Sequence, residues 1–446
     1  MEALDNRLKK RIHVSLYAII FLTGLLGISV LLESCTDNCE VRNEYIYYAP
    51  VYTGLDELRS SVASIEPRAI ETTGKIYIKD QWLFVNEPGK GIHIIDNTNP
   101  ASPVNRHFVN IPGTSDLAVK GNILYADSYI DLVLLDISDI NSIHEANRIE
   151  NVFLNYNTLG FYLDASKGLI TEWVEKKDVK VYESDCDANI QPWGGIYYGE
   201  GILVRTDMMF DASAAIAPGN GSGPGVGGSM ARFTINADHL YTLDGGDIQS
   251  IDISSPENPV VSGRTPISWD METIFPYKNH LFVGSMSGMH IIDVSAPSQP
   301  VKISTYEHVR VCDPVVVQDS YAYVTLRSGT ECQGFTNQLE VINIEDLMNP
   351  RLLATYQMHN PFGLGIDGTT LFVCDGDQGL KVYDASDIQT IDKHQLGHYD
   401  NINAFDVIPF NDILIMIGSD GIFQYDYSDP SNIQLLSKIE VVDDSE

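Results

Sequence analysis

The residues of this chain that could do chemistry are carboxylates and cysteines rather than a recognisable catalytic set. The eleven histidines are scattered, and no Ser/His/Asp or Cys/His group has the local spacing of a known nucleophilic site. None of the six cysteines forms a CxxC pair or lies near a histidine at zinc spacing, so a structural zinc site is not predicted. We therefore assign no catalytic residue from local motifs, and the metal content stays unknown.

Six polar residues are candidates for one ligand-binding rim, because each precedes an inner strand or follows a second strand of the repeat described below. They are Asp116, Arg232, Glu272, Asp313, Arg327 and Asp375. Such a rim would be largely acidic and would bind a cation, an amine or a sugar, with calcium as the candidate ion. The alternative is that these aspartates are common turn formers that cap backbone N–H groups. The sequence leaves both interpretations of the rim open.

Two cysteines form a candidate disulfide. Cys312 precedes an inner strand and Cys332 lies in an expanded turn, so the predicted topology places both at one end of the repeat. In an oxidising compartment this bond would close a loop of roughly 20 residues and stabilise the fold by roughly 3 kcal/mol. Free thiols are the alternative. Cys374, at a strand end, is predicted to be a core residue.

The elements that position these residues are copies of one unit. In GMHIIDVSAPSQP, residues 288 to 300, a short apolar strand ends at an aspartate and a Ser/Pro/Asn turn follows. The aspartates that close the other copies recur with a base period near 41 residues: Asp96, Asp136, Asp252, Asp293, Asp384 and Asp426, with Asn343 in one copy and a degenerate Glu183 in another. Because these closing aspartates recur in nearly every copy, we assign them to turns and not to a ligand site.

Each period holds four alternating runs rich in Val, Ile, Tyr and Phe, which predict four antiparallel strands. A repeated four-stranded unit of about 40 to 45 residues is typical of a β-propeller blade. The sequence predicts an all-β propeller of about eight blades over residues 67–446. Seven is the alternative, because the third unit, residues 158–228, matches the repeat poorly.

Two segments depart from the repeat. Residues 35–66 are predicted to be a tether with a short helix that includes Leu55 and Leu58 and stops before Pro67. An insertion near 185–229 contains PGNGSGPGVGGS, which lacks the Gly-Lys-Ser/Thr ending of a phosphate-binding loop. We expect a flexible surface insertion there.

Charge and the first residues predict where the protein resides. The net charge of −33 argues against a nucleic acid or an anionic membrane surface as an electrostatically held partner. Four basic residues between Arg7 and Arg11 precede an apolar run over 14–32, as in an export signal. The run is also long enough to remain as an uncleaved anchor. In both cases the acidic remainder would be exported.

Two resemblances sharpen this expectation. Leu32-Glu33-Ser34-Cys35 resembles the lipobox of bacterial lipoproteins, which implies a signal over 1–34, lipidation of Cys35 and a membrane anchor. Glu33 departs from the usual small residue.

The segments IIDVS, VYDAS and LLDIS, with their Pro/Asn turns, resemble LVIVD-repeat proteins, exported bacterial β-propellers common in Bacteroidetes. This resemblance implies an outer-membrane or periplasmic lipoprotein of the cell envelope. It implies no reaction.

Three functional hypotheses follow. The first is an envelope-anchored, non-catalytic propeller that binds a protein or glycan on one face and needs no cofactor beyond the candidate calcium. The second is a hydrolase or lyase that uses rim carboxylates, with or without a divalent metal. It would need two titrating groups within hydrogen-bond reach of one pocket. The third is an assembly scaffold whose axial channel is plugged.

Overall fold

The computed structural model describes residues 38–153, 163–164, 166–185, 226–229, 231–308, 314–328, 336–419 and 421–442. The predicted signal segment, Cys35, Cys312, Cys332 and Asp313 lie outside these residues. The chain divides into two compact units, one of residues 1–50 and 173–204 and one of residues 51–172 and 205–446. Among the described residues, no helix combines the length and apolar character needed to cross a bilayer.

The segment before the repeats has regular structure. Strand β1 spans Asn38–Thr53, helix α1 spans Leu55–Ser60 and strand β2 spans Ala63–Ile65. The predicted short helix is therefore present, while most of the predicted tether is a strand. Helix α1 packs on the repeats because Leu58 is buried with Tyr129 and Ile130. Arg59 adds an ion pair, with its Nε 2.7 Å from the Asp131 carboxylate.

Seven consecutive antiparallel sheets follow, and each forms one blade. Blade 1 contains β3 Ile76–Lys79, β4 Trp82–Glu87, β5 Gly91–Asp96 and β6 Val104–Asn110, and blade 2 contains β7 Leu117–Lys120, β8 Ile123–Ser128, β9 Asp131–Asp136 and β10 His144–Ile149. Three strands then intervene: β11 Leu163–Asp164, β12 Gly168–Asp185 and β13 Val226–Gly227.

The remaining five blades have the same strand order. Blade 3 contains β14 Phe233–Asn236, β15 His239–Asp244, β16 Asp247–Asp252 and β17 Val260–Pro266, and blade 4 contains β18 Met271–Tyr277, β19 His280–Ser285, β20 Gly288–Asp293 and β21 Val301–Glu307. Blade 5 contains β22 Val315–Gln318, β23 Tyr321–Leu326, β24 Gln338–Asn343 and β25 Arg351–Gln357. Blade 6 contains β26 Leu364–Asp367, β27 Thr370–Cys374, β28 Leu380–Asp384 and β29 Gln395–Tyr399, and blade 7 contains β30 Ala404–Phe410, β31 Ile413–Gly418, β32 Gly421–Asp426 and β33 Gln434–Glu440.

The predicted all-β propeller is confirmed, at the lower of the two blade numbers. Within the described part of residues 158–228, β11 and β12 join β1 in a small three-stranded sheet, and β13 adds to the inner edge of blade 1. No four-stranded sheet forms among these described residues. Strand β12 runs without a break from Gly168 through Glu183 to Asp185, so Glu183 does not end a third strand as the closing aspartates do.

The blades pack side by side in chain order, because each inner strand contacts the inner strand of the next blade from β3 through β30. Both faces of each sheet are apolar, and only neighbouring sheets can cover them. Blade 7 closes the ring against blade 1 by sharing a core of isoleucines that includes Ile78, Ile95 and Ile415. Ile70 also bridges to Val441 in parallel. The ends meet by side-to-side packing, with no strand of either sheet taken from the other end of the chain.

Hydroxyl groups at recurring positions form hydrogen bonds between neighbouring blades. The Tyr125 and Tyr241 hydroxyls in second strands donate to the carbonyls of Pro256 and Pro297 in the next blade, at 2.8 and 3.2 Å. At the ring closure, Ser437 Oγ donates to the Pro100 carbonyl at 2.6 Å. The Pro/Asn turns of the repeat therefore act as acceptors for the preceding blade.

The closing aspartates are turn residues, as their recurrence predicts. In each copy one carboxylate oxygen accepts the backbone N–H two residues later, for example Ser295 N to Asp293 Oδ1 at 2.7 Å and Ser138 N to Asp136 Oδ1 at 2.8 Å. Asn343 does the same with its amide oxygen, at 2.9 Å from Glu345 N. This Asx turn needs an sp² oxygen at that position and no charge.

We predict that Asp293→Ala lowers the free energy of unfolding by about 1 kcal/mol, the usual loss for a side chain that caps a backbone N–H. Asp293→Asn keeps the oxygen acceptor, as Asn343 does in blade 5, and should lose only a small part of that. Urea unfolding of the two variants measures the difference. Equal losses would mean that Asp293 stabilises the fold through its charge and not through the Asx-turn hydrogen bond.

Candidate functional site

The predicted rim lies at the end of the blades where the inner strands begin and where the second and third strands turn. We call this end the top face and the opposite end the bottom face. Of the predicted rim residues in the described chain, Asp116 and Asp375 are buried, with 2% and 0% of their surface exposed. Arg232, Glu272 and Arg327 are partly exposed. Asp116 and Asp375 therefore do not line an open funnel.

Asp116 joins two blades through backbone hydrogen bonds. One carboxylate oxygen accepts from Leu117 N at 2.7 Å, and the other accepts from the backbone N–H groups of Arg232 and Phe233 at the start of blade 3. Burial raises the pKa of this carboxyl to about 6, against the lowering effect of nearby Lys75 and of the N–H donors. Asp116 and Arg232 are thus brought together, but by a backbone N–H and not by the guanidinium.

Asp375 and Asp127 also accept hydrogen bonds from the backbone, each from the segment that leads into its own blade. Asp375 accepts from His359 N and Asn360 N, at 3.0 and 2.7 Å, and forms an ion pair with Lys381. Asp127 accepts from Ser115 N at 2.7 Å and from the Ser115 hydroxyl at 2.6 Å. These carboxylates therefore bind backbone N–H groups near the start of their own blades.

A cluster of charged side chains holds the segment before β3 against blade 1. Glu87 Oε2 lies 2.8 Å from His93 Nε2 and 2.9 Å from a guanidinium nitrogen of Arg68, and Glu87 Oε1 lies 3.0 Å from Lys90 Nζ. Glu87 and His93 are both fully buried. Although burial raises the pKa of Glu87, the hydrogen bonds and positive charges lower it to about 2.

The end of the Gly-rich insertion lies at the axis. Val226 and Gly227 pair with Ile78 and Tyr77 on the inner edge of blade 1. Ser229 Oγ donates to Asp406 Oδ1 and accepts from Leu364 N, both at 3.0 Å, so the segment also reaches the inner strands of blades 7 and 6. The expectation of a surface insertion is wrong for residues 226–229.

Two glycines pack closely at the axis. A Cβ on Gly227 would lie 3.1 Å from the Tyr77 ring, which would have to move by a few tenths of an ångström. A Cβ on Gly363, just before blade 6, would lie 1.9 Å from the Asp406 carboxylate, so that position requires glycine unless Asp406 moves. The run GVGGS was the available signal, because glycines of that density fit close packing as well as flexibility.

Sequence reasoning missed Trp269, which lies on the loop between β17 and β18 at the top face. Its side chain is 68% exposed, more than any other large apolar side chain in the described residues. Elsewhere on this face, the Arg327 guanidinium lies 4.1 Å from the Phe362 ring centroid, and Phe362 packs edge-on against Phe405 at 5.2 Å. The signal for Trp269 was a tryptophan inside a predicted polar turn.

The described residues hold no group of three His, Cys, Asp or Glu side chains placed to bind one metal ion. Cys374 is a free and fully buried thiol in the core of blades 6 and 7, as predicted. Burial raises the pKa of this thiol well above its usual value.

The family comparison matches two blades. The model of the LVIVD repeat matches residues 113–150 and 274–308. The chain carries LVIVD repeats. The first match covers all four strands of blade 2, and the second covers blade 4 except for the first three residues of β18, so one LVIVD repeat corresponds to one blade. A comparison with curated proteins found no match.

Solved structures with a similar fold include several β-rich proteins at low identity. BamB from Moraxella catarrhalis is 10% identical with a TM-score of 0.45, over 86% of this chain and 97% of that one. Hsv2 from Kluyveromyces lactis is 10% identical with a TM-score of 0.44, over 83% and 100%. The computationally designed protein Ika8 is 10% identical with a TM-score of 0.47, over 85% and 91%. We base the fold on the seven sheets of the chain itself.

We predict that Asp375→Asn destabilises the protein by about 2 kcal/mol, because an amide cannot accept from both backbone N–H groups and pair with Lys381 in a buried site. Asp377→Asn is the matched control, since the Asp377 side chain is 66% exposed, and should change stability by less than about 0.5 kcal/mol. Chemical unfolding of both variants tests this. Similar losses would show that the ion pair between Asp375 and Lys381 does not stabilise the folded protein.

We also predict that the Glu87 cluster contributes to acid sensitivity. The folded pKa of about 2 lies below the ordinary value of 4.5, so the stabilisation is fully present above about pH 5 and is lost as the pH falls toward 2. Glu87→Gln should therefore flatten the decline of stability between about pH 5 and pH 2. Urea midpoints measured across this range check the slope. An unchanged slope would show that other groups cause the decline.

Proposed function

We propose that this chain is an exported, lipid-anchored, non-catalytic β-propeller of the bacterial envelope that binds a protein partner through its top face. The observation that carries this proposal is Trp269, whose large apolar side chain is 68% exposed on that face. Tryptophan and arginine dominate the binding energy of protein interfaces. Arg327, held flat on Phe362, offers a second such residue on the same face.

The state of the rim carboxylates supports recognition rather than catalysis. An acid or base needs to reach a substrate proton within hydrogen-bond distance. Asp116, Asp127 and Asp375 are buried and are engaged by backbone N–H groups. If a substrate took the place of a backbone N–H donor, the hydrogen bond that holds two blades or a turn together would be lost. The hydrolase or lyase hypothesis therefore has the weaker support.

The net charge limits the kinds of partner surface that the chain can bind. At −33 the chain repels nucleic acids and anionic surfaces, which favours a neutral or basic partner surface. The basic start, the apolar run over 14–32 and the lipobox-like Leu32–Cys35 segment support export and attachment through Cys35. The resulting location would be an outer-membrane or periplasmic lipoprotein.

The interface is tested by a photo-crosslinking residue at position 269 in bacteria that express the full chain. We expect Trp269→benzoylphenylalanine to give a discrete protein adduct after irradiation. The control is Met348→benzoylphenylalanine, because Met348 is 61% exposed but lies in a bottom-face turn. No adduct at 269, or the same adduct at both positions, would contradict a top-face interface.

The anchor is tested by metabolic labelling with a palmitate analogue. We expect the wild-type chain to take up label and to fractionate with membranes, and Cys35→Ser to lose both properties. Cys39→Ser, four residues later, is the matched control and should keep them. Label that survives Cys35→Ser would refute lipidation at Cys35.

A further inference from the structure

The bottom face has two clefts beside blade 2. The first lies between blades 1 and 2, has a volume of about 550 Å³ and is lined by residues that include Trp82, Asp96, Arg106, Asn122, Ser138 and Asn141. The second lies between blades 2 and 3, has a volume of about 420 Å³ and is lined by residues that include Glu257. Both contain Asn122 and Ser138. The two clefts therefore adjoin at these residues of blade 2, and we call the pair the bottom-face groove. Each volume is in the range of small-ligand sites.

The groove lies where the chain departs from its own repeat. The first residue of the second strand is Trp82 in blade 1, while the same position holds Ile, His, Tyr or Thr in the other blades. Among the closing aspartates of the described chain, Asp96 has an arginine ion pair, with Arg106 at 2.8 Å. The turn after β9 contains a short 3-10 helix over Ile140–Ser142 in place of proline, a feature that it shares with the turn of blade 6, where the helix spans Ile391–Lys393. A binding site, unlike a structural turn, is expected to depart from the repeat.

Both basic side chains of the first cleft are paired with a carboxylate, and Asp139 adds a further negative charge. Arg106 pairs with Asp96, and Lys79 pairs with Asp80. The Arg106 side chain lines the cleft and is still 49% exposed. At the second cleft Asp136 and Glu257 add negative charge. The groove therefore offers no uncompensated cation to an anionic ligand.

The remaining lining is made of groups that both donate and accept hydrogen bonds, next to one aromatic ring. Amides at Asn122 and Asn141 and a hydroxyl at Ser138 follow one another along the groove, and all three residues are exposed. Trp82 is the cross-strand neighbour of Asp96 and is partly exposed. A sugar hydroxyl both donates and accepts, and the C–H face of a pyranose ring packs on an indole. This lining fits a neutral sugar better than an anion or an apolar molecule.

We propose that this bottom-face groove binds a neutral oligosaccharide, with one sugar stacked on Trp82 beside Arg106 and further sugars crossing blade 2 toward Glu257. The groove is separate from the top-face interface and does not depend on it, since the two are at opposite ends of the strands. The length of the groove, two clefts joined at Asn122 and Ser138, indicates a chain of several sugars rather than a single one.

The test is calorimetric titration of the full-length protein in detergent with neutral probes: cellohexaose, xylohexaose, laminarihexaose, mannohexaose and chitohexaose. We expect at least one to bind and Arg106→Gln to weaken it about tenfold, the effect of losing a hydrogen bond from a charged donor. Arg351→Gln, at an exposed position in the outer strand of blade 5, is the control and should leave the affinity unchanged. No binding by any of the five, or an equal loss in both variants, would overturn the proposal.

Two further measurements separate the parts of the proposal. Trp82→Leu should weaken binding while Trp269→Leu, on the top face, should not, and thermal unfolding should show that both variants fold. The disaccharide of the binding series should bind more weakly than the hexasaccharide, and Glu257→Gln should reduce that difference. Equal affinity of the two lengths would refute the extended groove. Binding of alginate or chitosan in preference to every neutral probe would refute the ligand class.

Discussion

The architecture depends on one constraint: a four-stranded sheet that is apolar on both faces cannot exclude water by itself. Residues such as Leu83, Phe84, Ile94 and Ile95 in blade 1 are all fully buried, although they alternate between the two faces of one sheet. Each blade must therefore be covered on both sides by others. A closed ring satisfies this requirement for every blade, including the first and the last, which meet through the isoleucine core and the bridge from Ile70 to Val441.

Within that ring the carboxylates serve the backbone. The closing aspartates hold the turn that begins each outer strand, and the buried aspartates at the top face hold the start of the inner strands. Asp116 does so across a blade boundary. An acidic chain can thus bury Asp116, Asp127 and Asp375 at small cost, because their oxygens accept hydrogen bonds from N–H and O–H groups. The residues available for recognition are those that do not cap backbone N–H groups, notably Trp269 at the top face and Trp82 with Arg106 at the bottom face.

In a repeat protein, a residue that differs from its equivalents in the other repeats is informative. Seven copies of one blade supply their own comparison, so a residue that occurs in one copy and not in the others has a local reason. Gly363 is such a residue, because Asp406 and Ser229 crowd the place of its Cβ. Trp82 is another, and it lines the bottom-face groove. The two proposed surfaces follow from this contrast rather than from any catalytic motif.

The sequence by itself determined the blade, its period and the role of its closing aspartate, because these are local: alternation within a strand and an Asx turn two residues long need no distant partner. It also predicted the buried Cys374 and the short helix at Leu55. It left seven and eight blades open, because the degenerate segment around Glu183 had strands in its pattern but no partners assigned to them. Only the tertiary structure decided that Asp116 caps Arg232 and Phe233, that Ser229 reaches the axis and that Trp82 faces the turn of the next blade. Each of these depends on which blades become neighbours, and that is set by closure of the ring, a property of the whole chain that no local window of sequence contains.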